Sequence, residues 1–326
     1  MIPQKKAWLA IGLAAFGLGT TLGAAAADDY PKKAITIVVP FGPGGVADLT
    51  VRMVAQKMAL SMKQPIIVEN RPGAGGVVAA STVAKATPDG YTLLLMSNAT
   101  AVTVNLFKKL PYDTQKDFTP ISTLGYFDLA LVVNKKLPVK SVGELIAYAK
   151  AHPGKVNIGT INRGSTQNLA AELFVSMAGV DALVVPYKGS PEVLTATMTG
   201  ELDAAFEILS PALPQIKAGN FNAIAVTSAK RFSGLPNVPT VAESGLPDYQ
   251  ATSWNALAAP ARTPQTIVDR LNREINAAVA IPDVKARLLG LGIVAQGSTP
   301  AATSTLLATD IAKWGGVIAK AGIEKQ

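Results

Sequence analysis

Hydrophobic positions along this chain alternate between two spacings. Short unbroken apolar runs in "AITIVVPF", "QPIIVENR" and "DGYTLLLMSNAT" have the length and β-branched content of buried strands. Helical spacing separates them. In "ADLTVRMVAQKMALSM", Leu49, Met53, Val54 and Met58 fall on one stripe, and "PGAGGVVAASTVAKA" is a glycine turn entering a second helix. Strand, loop and helix repeat in this way, which predicts an α/β fold with a largely parallel sheet flanked by helices.

The pattern continues with "DLALVVN" as a strand and "SVGELIAYAKAH" as a helix, with Ser141 as its cap and Glu144 three residues on. A second unit follows: strand "KVNIGT", loop and helix "NRGSTQNLAAELFVSMAG", strand "LVVPYKG", helix "SPEVLTATMTGE" and strand "DAAFEI". Crossings between two lobes are expected near residues 126–131 and 223–231, assigning 28–127 and 229–326 to lobe 1 and 128–228 to lobe 2. Loops at the strand C-terminal ends would then face a ligand cleft. Residues 235–264 read as a long proline-rich connection, followed by the amphipathic helix "QTIVDRLNREINAAVA" and a helical ending. No internal repeat or low-complexity segment stands out.

The N-terminal pattern is different. Lys5 and Lys6, an apolar run to about Leu22 and small residues at Ala25, Ala26 and Ala27 read as a secretory signal peptide over residues 1–27. An uncleaved membrane anchor is the rival reading, but the apolar stretch is short and glycine-interrupted. The chain has no cysteine, so disulfides, thiolate metal sites and lipid attachment through a cysteine are excluded. A soluble periplasmic protein is expected. The net charge of +8, part of which leaves with Lys5 and Lys6, favours anionic ligands, but the basic residues are scattered and not interleaved with aromatics, which argues against nucleic acid.

Candidate chemistry centres on "VVPFGPGGVADLTVRM". Gly42, Gly44 and Ala47 fit G-x-G-x-x-G/A, and Glu69 ends the next strand where a ribose-binding acid would stand. Pro40 and Phe41 separate the strand from the first glycine, however, and Pro43 stiffens the turn. An anion held by converging backbone amides at a helix N-terminus is the alternative, and a carboxylate fits it as well as a phosphate does. Asp48 is then either a ligand-side residue or an N-cap. The segment "GTINRGSTQNLAAE" offers a matching element: Gly164, Ser165 and Thr166 enter a helix, and Arg163 is either a carboxylate partner or a surface charge. His152, the only histidine, reads as a helix-end residue, which leaves a catalytic triad or histidine metal site without support.

Seven ordered segments, "VPFGPGGVADLTVRMVAQKM", "VENRPGAGG", "PDGYTLLL", "LPYDTQKDFTPIS", "VPYKGSPEVLTATMTGELDAAFE", "NVPTVAESGLPDY" and "APARTPQTIVDRLN", together resemble the tripartite tricarboxylate transporter receptor family, or Bug family, of periplasmic solute-binding proteins. The resemblance implies a type II periplasmic binding protein fold that closes around a small organic carboxylate without catalysis or cofactor, and a membrane transporter or a sensor as partner to a monomeric receptor. Carried over, the ligand-binding positions are Phe41, Gly44, Gly45, Val46, Ala47 and Asp48, then Ser97 and Asn98 in a loop after the third strand, then Ser165, Thr166 and Gln167. Tyr187, Lys188 and Glu207 match positions at or near the cleft. Val46 and Ala47 replace small polar residues and Glu207 an aspartate, which points to a more apolar pocket and a mono- or dicarboxylate with an apolar or aromatic body.

Overall fold

A computed structural model describes residues 30–325, apart from the Ala74 side chain; the expected signal peptide lies outside the described residues. The chain opens with β1 (Ile35–Val39), α1 (Val46–Met62), β2 (Ile66–Asn70), α2 (Val77–Ala84), β3 (Thr92–Ser97) and α3 (Asn98–Leu106). The long β4 (Phe118–Val133) and α4 (Val142–Ala151) lead to β5 (Val156–Ile161), α5 (Thr166–Ala178), β6 (Ala182–Tyr187), α6 (Ser190–Thr199), β7 (Ala204–Ile208), α7 (Leu209–Lys217) and β8 (Asn222–Val226). The chain ends with β9 (Thr252–Pro260), α8 (Gln265–Ala280), α9 (Pro282–Gly290), β10 (Ile293–Ala295) and α10 (Pro300–Lys320). No described helix is long and apolar enough to cross a membrane.

Helices cover both faces of the first sheet. Ile37 and Val39 of β1 join the cluster built with α1 and α8, whereas Val38 joins the one on the α2 side. A strand covered on both faces has no solvent-facing position, so its apolar run is unbroken. On α8, Ile267, Val268, Leu271 and Ile275 form the buried stripe, each contributing about 1.5–3 kcal/mol by burial.

The sheet is less parallel than the strand–helix alternation predicts. Pairings β2–β1–β3 and β6–β5–β7 are parallel, but β9 inserts antiparallel between β3 and β4, and β8 and β10 pair antiparallel with β4. β9 lies inside the stretch read as a proline-rich connection. Its alanine-rich "NALAAP" lacks the β-branched residues that mark a strand, and only burial between two neighbours makes it one. The units β1–α1–β2–α2–β3 and β5–α5–β6–α6–β7 also share strand order and direction, a structural repeat that spacing alone did not reveal.

β4 joins the two halves. Residues Phe118–Asp128 pair with β9, and Leu129–Val133 pair with β7. The second connection runs alongside: Thr227 N–H donates to Leu129 O at 3.0 Å, and Ala251 N–H donates to Thr227 O at 2.9 Å. Residues 232–251, expected beyond the return crossing, pack instead on the second half. Phe232, Leu235 and Val238 lie against Val193 and Phe221, and Tyr249 donates its hydroxyl to Ala170 O at 2.9 Å. Their prolines interrupt any periodicity, so their burial was not readable from spacing.

Asp128 sits where β4 changes sheets, 6% exposed. Its Oδ2 lies 2.7 Å from Ser228 Oγ, which lies 2.7 Å from Lys230 O. Ser228 has one hydroxyl hydrogen for the two acceptors, so Asp128 shares this donor with the Lys230 carbonyl. Burial accordingly pushes the Asp128 carboxyl up to about 6, against the opposing Ser228 bond. The unfolded chain releases this proton near pH 4, so the contribution to stability falls as pH rises from about 4 to 6 and is flat above. Asp128→Asn is expected to raise stability by about 1–3 kcal/mol at pH 7–8 and to flatten that acid-side slope, as checked by denaturant titration at several pH values.

Candidate functional site

Two turns with the same backbone stand after β1 and β5. Gly44 has φ +81° and donates its N–H to Asp48 Oδ2 at 2.9 Å; Gly164 has φ +79° and donates to Asn168 Oδ1 at 2.9 Å. In each, the next residue is the N-cap, Gly45 at φ −77°, ψ 169° and Ser165 at φ −68°, ψ 162°. The left-handed position suits glycine, which has no Cβ to oppose it. Ser165 Oγ accepts from Asn168 N–H at 3.1 Å, but α1 has no side-chain cap. Each turn thus aims first-turn amides and the positive end of a helix dipole toward the space beyond its sheet.

Asp48 serves its own loop. It is the third residue of α1, not the cap, and 2% exposed. Its oxygens accept from Gly44 N–H, from Arg52 Nε at 2.9 Å and from Asn70 Nδ2 at 2.9 Å, while Asn70 also holds Phe41 O at 3.0 Å. Burial pushes the carboxyl up, but the Arg52, Gly44 and Asn70 bonds outweigh it and hold Asp48 below the ordinary aspartate value. Ala47 turns its methyl into the α1 core, so only its amide is available to a ligand. Val46 and Ile208, one from each half, rest on the same apolar cluster of Phe127, Val284, Leu288 and Ile293.

The halves meet at α3 and α5. No loop follows β3: Ser97 ends the strand and donates its N–H to Thr100 Oγ1 at 3.1 Å, and Asn98 begins α3. Asn98 Oδ1 accepts from Thr166 Oγ1 at 2.6 Å, a direct bond between the halves. Behind it, Gln167 Nε2 and Ile208 N–H donate to Glu207 Oε1 at 2.9 and 2.8 Å. Burial raises the Glu207 carboxyl above its ordinary value; Gln167, the Ile208 amide and the Ser190 hydroxyl oppose that rise.

The remaining sequence candidates have other surroundings. Arg163 is exposed, in a shallow depression of about 450 Å³ that it shares with Tyr187, Lys188 and Glu192. The Tyr187 hydroxyl is committed to Glu201 Oε1 at 2.8 Å. His152 caps α4 with Nδ1 2.9 Å from Tyr148 O, and Glu69 pairs with Arg71 at 2.7 Å. No three His, Cys, Asp or Glu side chains gather to hold a metal among the described residues.

One residue went unnoticed in the sequence. Asn255 of β9 lies opposite Ser97 in β3 and Gly125 in β4, 1% exposed. Neither polar atom of its side chain has a hydrogen-bond partner among the described residues, nor has Asn98 Nδ2. A lone asparagine in "WNALAAP" signals such a site only once that run is known to be a buried strand.

The fold, two α/β halves around a junction of helix N-termini, is that of periplasmic solute-binding proteins. A protein of R. palustris determined with adipate is 36% identical, with a TM-score of 0.79 and coverage of 91% of this chain and 100% of that one. MatC from Rhodopseudomonas palustris with bound malate is 34% identical, with a TM-score of 0.74 and coverage of 89% and 100%. Among curated relatives, Protein BugT of Bordetella pertussis is 38% identical over 298 residues, 91% of each chain. Residues 50–323 match the tripartite tricarboxylate transporter family receptor. The chain belongs to that family, whose members are substrate-binding receptors and not enzymes.

The two adjacent glycines make a local test. A Cβ on Gly45 would have 3.9 Å to its nearest neighbour and an ordinary φ, whereas Gly44 has open space but a left-handed φ. Gly44→Ala is expected to cost about 1 kcal/mol or more, and Gly45→Ala to cost less, because its φ is ordinary and the lower entropy of the unfolded chain offsets the poorer N-cap. Urea unfolding of both variants checks the contrast.

Proposed function

We propose that this protein is a periplasmic receptor that captures a small organic carboxylate between its two halves and delivers it to a membrane transporter. One observation carries the reading: two glycine turns of matching geometry open α1 and α5, with Thr166 of α5 bonded to Asn98 across the halves and Val46 of α1 sharing an apolar cluster with Ile208. Backbone amides there bind a carboxylate without a fixed positive side chain. Relatives solved with adipate and with malate support this ligand class. The expected signal peptide agrees with a periplasmic location, and family membership with a transporter as partner.

The mechanism is differential binding. A ligand that touches α1 and α5 together stabilises only the arrangement in which the halves meet. The apolar wall of Val46 and Ile208 suits the carbon body of the acid, and Asp48 keeps the first turn in shape without facing the ligand. The protein acts as a monomer in this scheme, because each half supplies one helix terminus.

A thermal-shift panel of organic acids, neutral sugars and peptides tests the reading. An acid at 100 times its Kd should add about 2.7 kcal/mol of stability. A response to sugars or neutral peptides and to no acid would sink the carboxylate assignment. Gly45→Val places a branched side chain at the uncapped end of α1; it should keep the fold and lose the ligand-induced shift. An unchanged shift in that variant would remove the first turn from the site.

A further inference from the structure

Resting on the receptor reading, we infer that Asn255, together with Asn98, is a specificity-determining contact that selects acids bearing a hydroxyl substituent. The position of Asn255 follows from strand alternation. Leu257 and Ala259 of β9 face the α1 and α8 side, and Trp254, Ala256 and Ala258 face the other. Asn255 therefore faces the α1 side, as Ser97 does beyond Leu93 and Leu95 of β3. Ser97 is its register partner, and the residue after Ser97 is Asn98, which bonds Thr166 across the junction. On its other edge the β4 register shifts between Thr123 and Gly125, opening the ladder beside Asn255; such bulges recur next to binding sites.

Four buried polar atoms remain unpaired at this end of the sheet among the described residues: Ser97 Oγ, Asn98 Nδ2, Asn255 Nδ2 and Asn255 Oδ1. An amide buried without a partner is costly and calls for an occupant. A carboxylate only accepts, so it would leave Asn255 Oδ1 unsatisfied; a methylene would leave all four. A hydroxyl accepts from a neighbouring amide N–H and donates to the Asn255 carbonyl, supplying the donor that a carboxylate lacks whichever way the Asn255 amide is turned. A fixed water has the same chemistry, and the experiment separates the two sources.

Calorimetric affinities are measured for unsubstituted dicarboxylates of increasing length against their monohydroxylated counterparts, succinate against malate first, on wild type and on Asn255→Leu and Asn255→Ala. In the pair that binds, the hydroxylated acid should bind at least about tenfold more tightly to wild type. Asn255→Leu should bring that ratio close to one and leave the unsubstituted acid within about threefold of its wild-type affinity, with an apo melting temperature equal to or above wild type because orphaned polar groups are gone. A wild-type ratio near one, or a ratio that persists in both variants, assigns the asparagines to bound water and overturns the inference while the receptor reading stands. Failure of both variants to fold assigns Asn255 a structural role and also overturns it. Binding of no acid at all defeats the receptor reading first, and the selection argued from it as well.

Discussion

Everything in this molecule depends on a single strand being hydrogen-bonded into two sheets. β4 spends its first eleven residues beside β9 and its last five beside β7, and Thr227 bonds Leu129 through both its backbone and its hydroxyl where the change occurs. The halves therefore cannot separate without rotating about these two strands. Because β1 and β3 enter the junction from one side and β5 and β7 from the other, their C-terminal ends, and the helices that follow, face each other. α10 spans both halves as well, with Leu307 in a first-half cluster and Trp314 and Val317 in the cluster around Phe174 and Phe206.

At the junction the same local solution is built twice with different charges. A left-handed glycine, an extended N-cap and an acceptor side chain four residues on hold each turn in one shape. In the first half the acceptor is the buried Asp48, whose charge requires Arg52 and Asn70; in the second it is the neutral Asn168, which requires no counter-ion. The positive end of α5 is consequently the less compensated of the two. An anion shared between the turns, as the proposed function requires, would meet amides already aimed, with little ordering left to be done on binding.

Polar groups buried at and near this junction work against the stability of the fold. Asp128 and Glu207 are both pushed above their ordinary values by burial, and Asn98 and Asn255 keep unpaired amide atoms. Violations of polar satisfaction concentrate where proteins do their work. Their grouping around the β4 crossing and the two helix termini marks the same region that the glycine turns mark by geometry.

The first strand–turn–helix, the strands and helices of the second unit, and the amphipathic α8 were legible along the chain, because a short unbroken apolar run marks a strand covered on both faces and a 3.6-residue spacing marks a helix buried on one. Ser141 capping α4 was legible for a local reason: its Oγ accepts from Glu144 N–H three residues on. β9 was not, since its alanines carry no strand preference and become a strand only between β3 and β4. Nor were the burial of residues 232–251 on the second half or the union of Ser97 and Asn98 without a loop. The pattern of side chains specified which segments are strands and helices and that glycine turns join them. Which turns face each other, and that Asn255 is buried near Asn98 without a partner among the described residues, depends on pairings between residues distant in the chain, 68 positions for Asn98 and Thr166, and no periodicity along the chain encodes those.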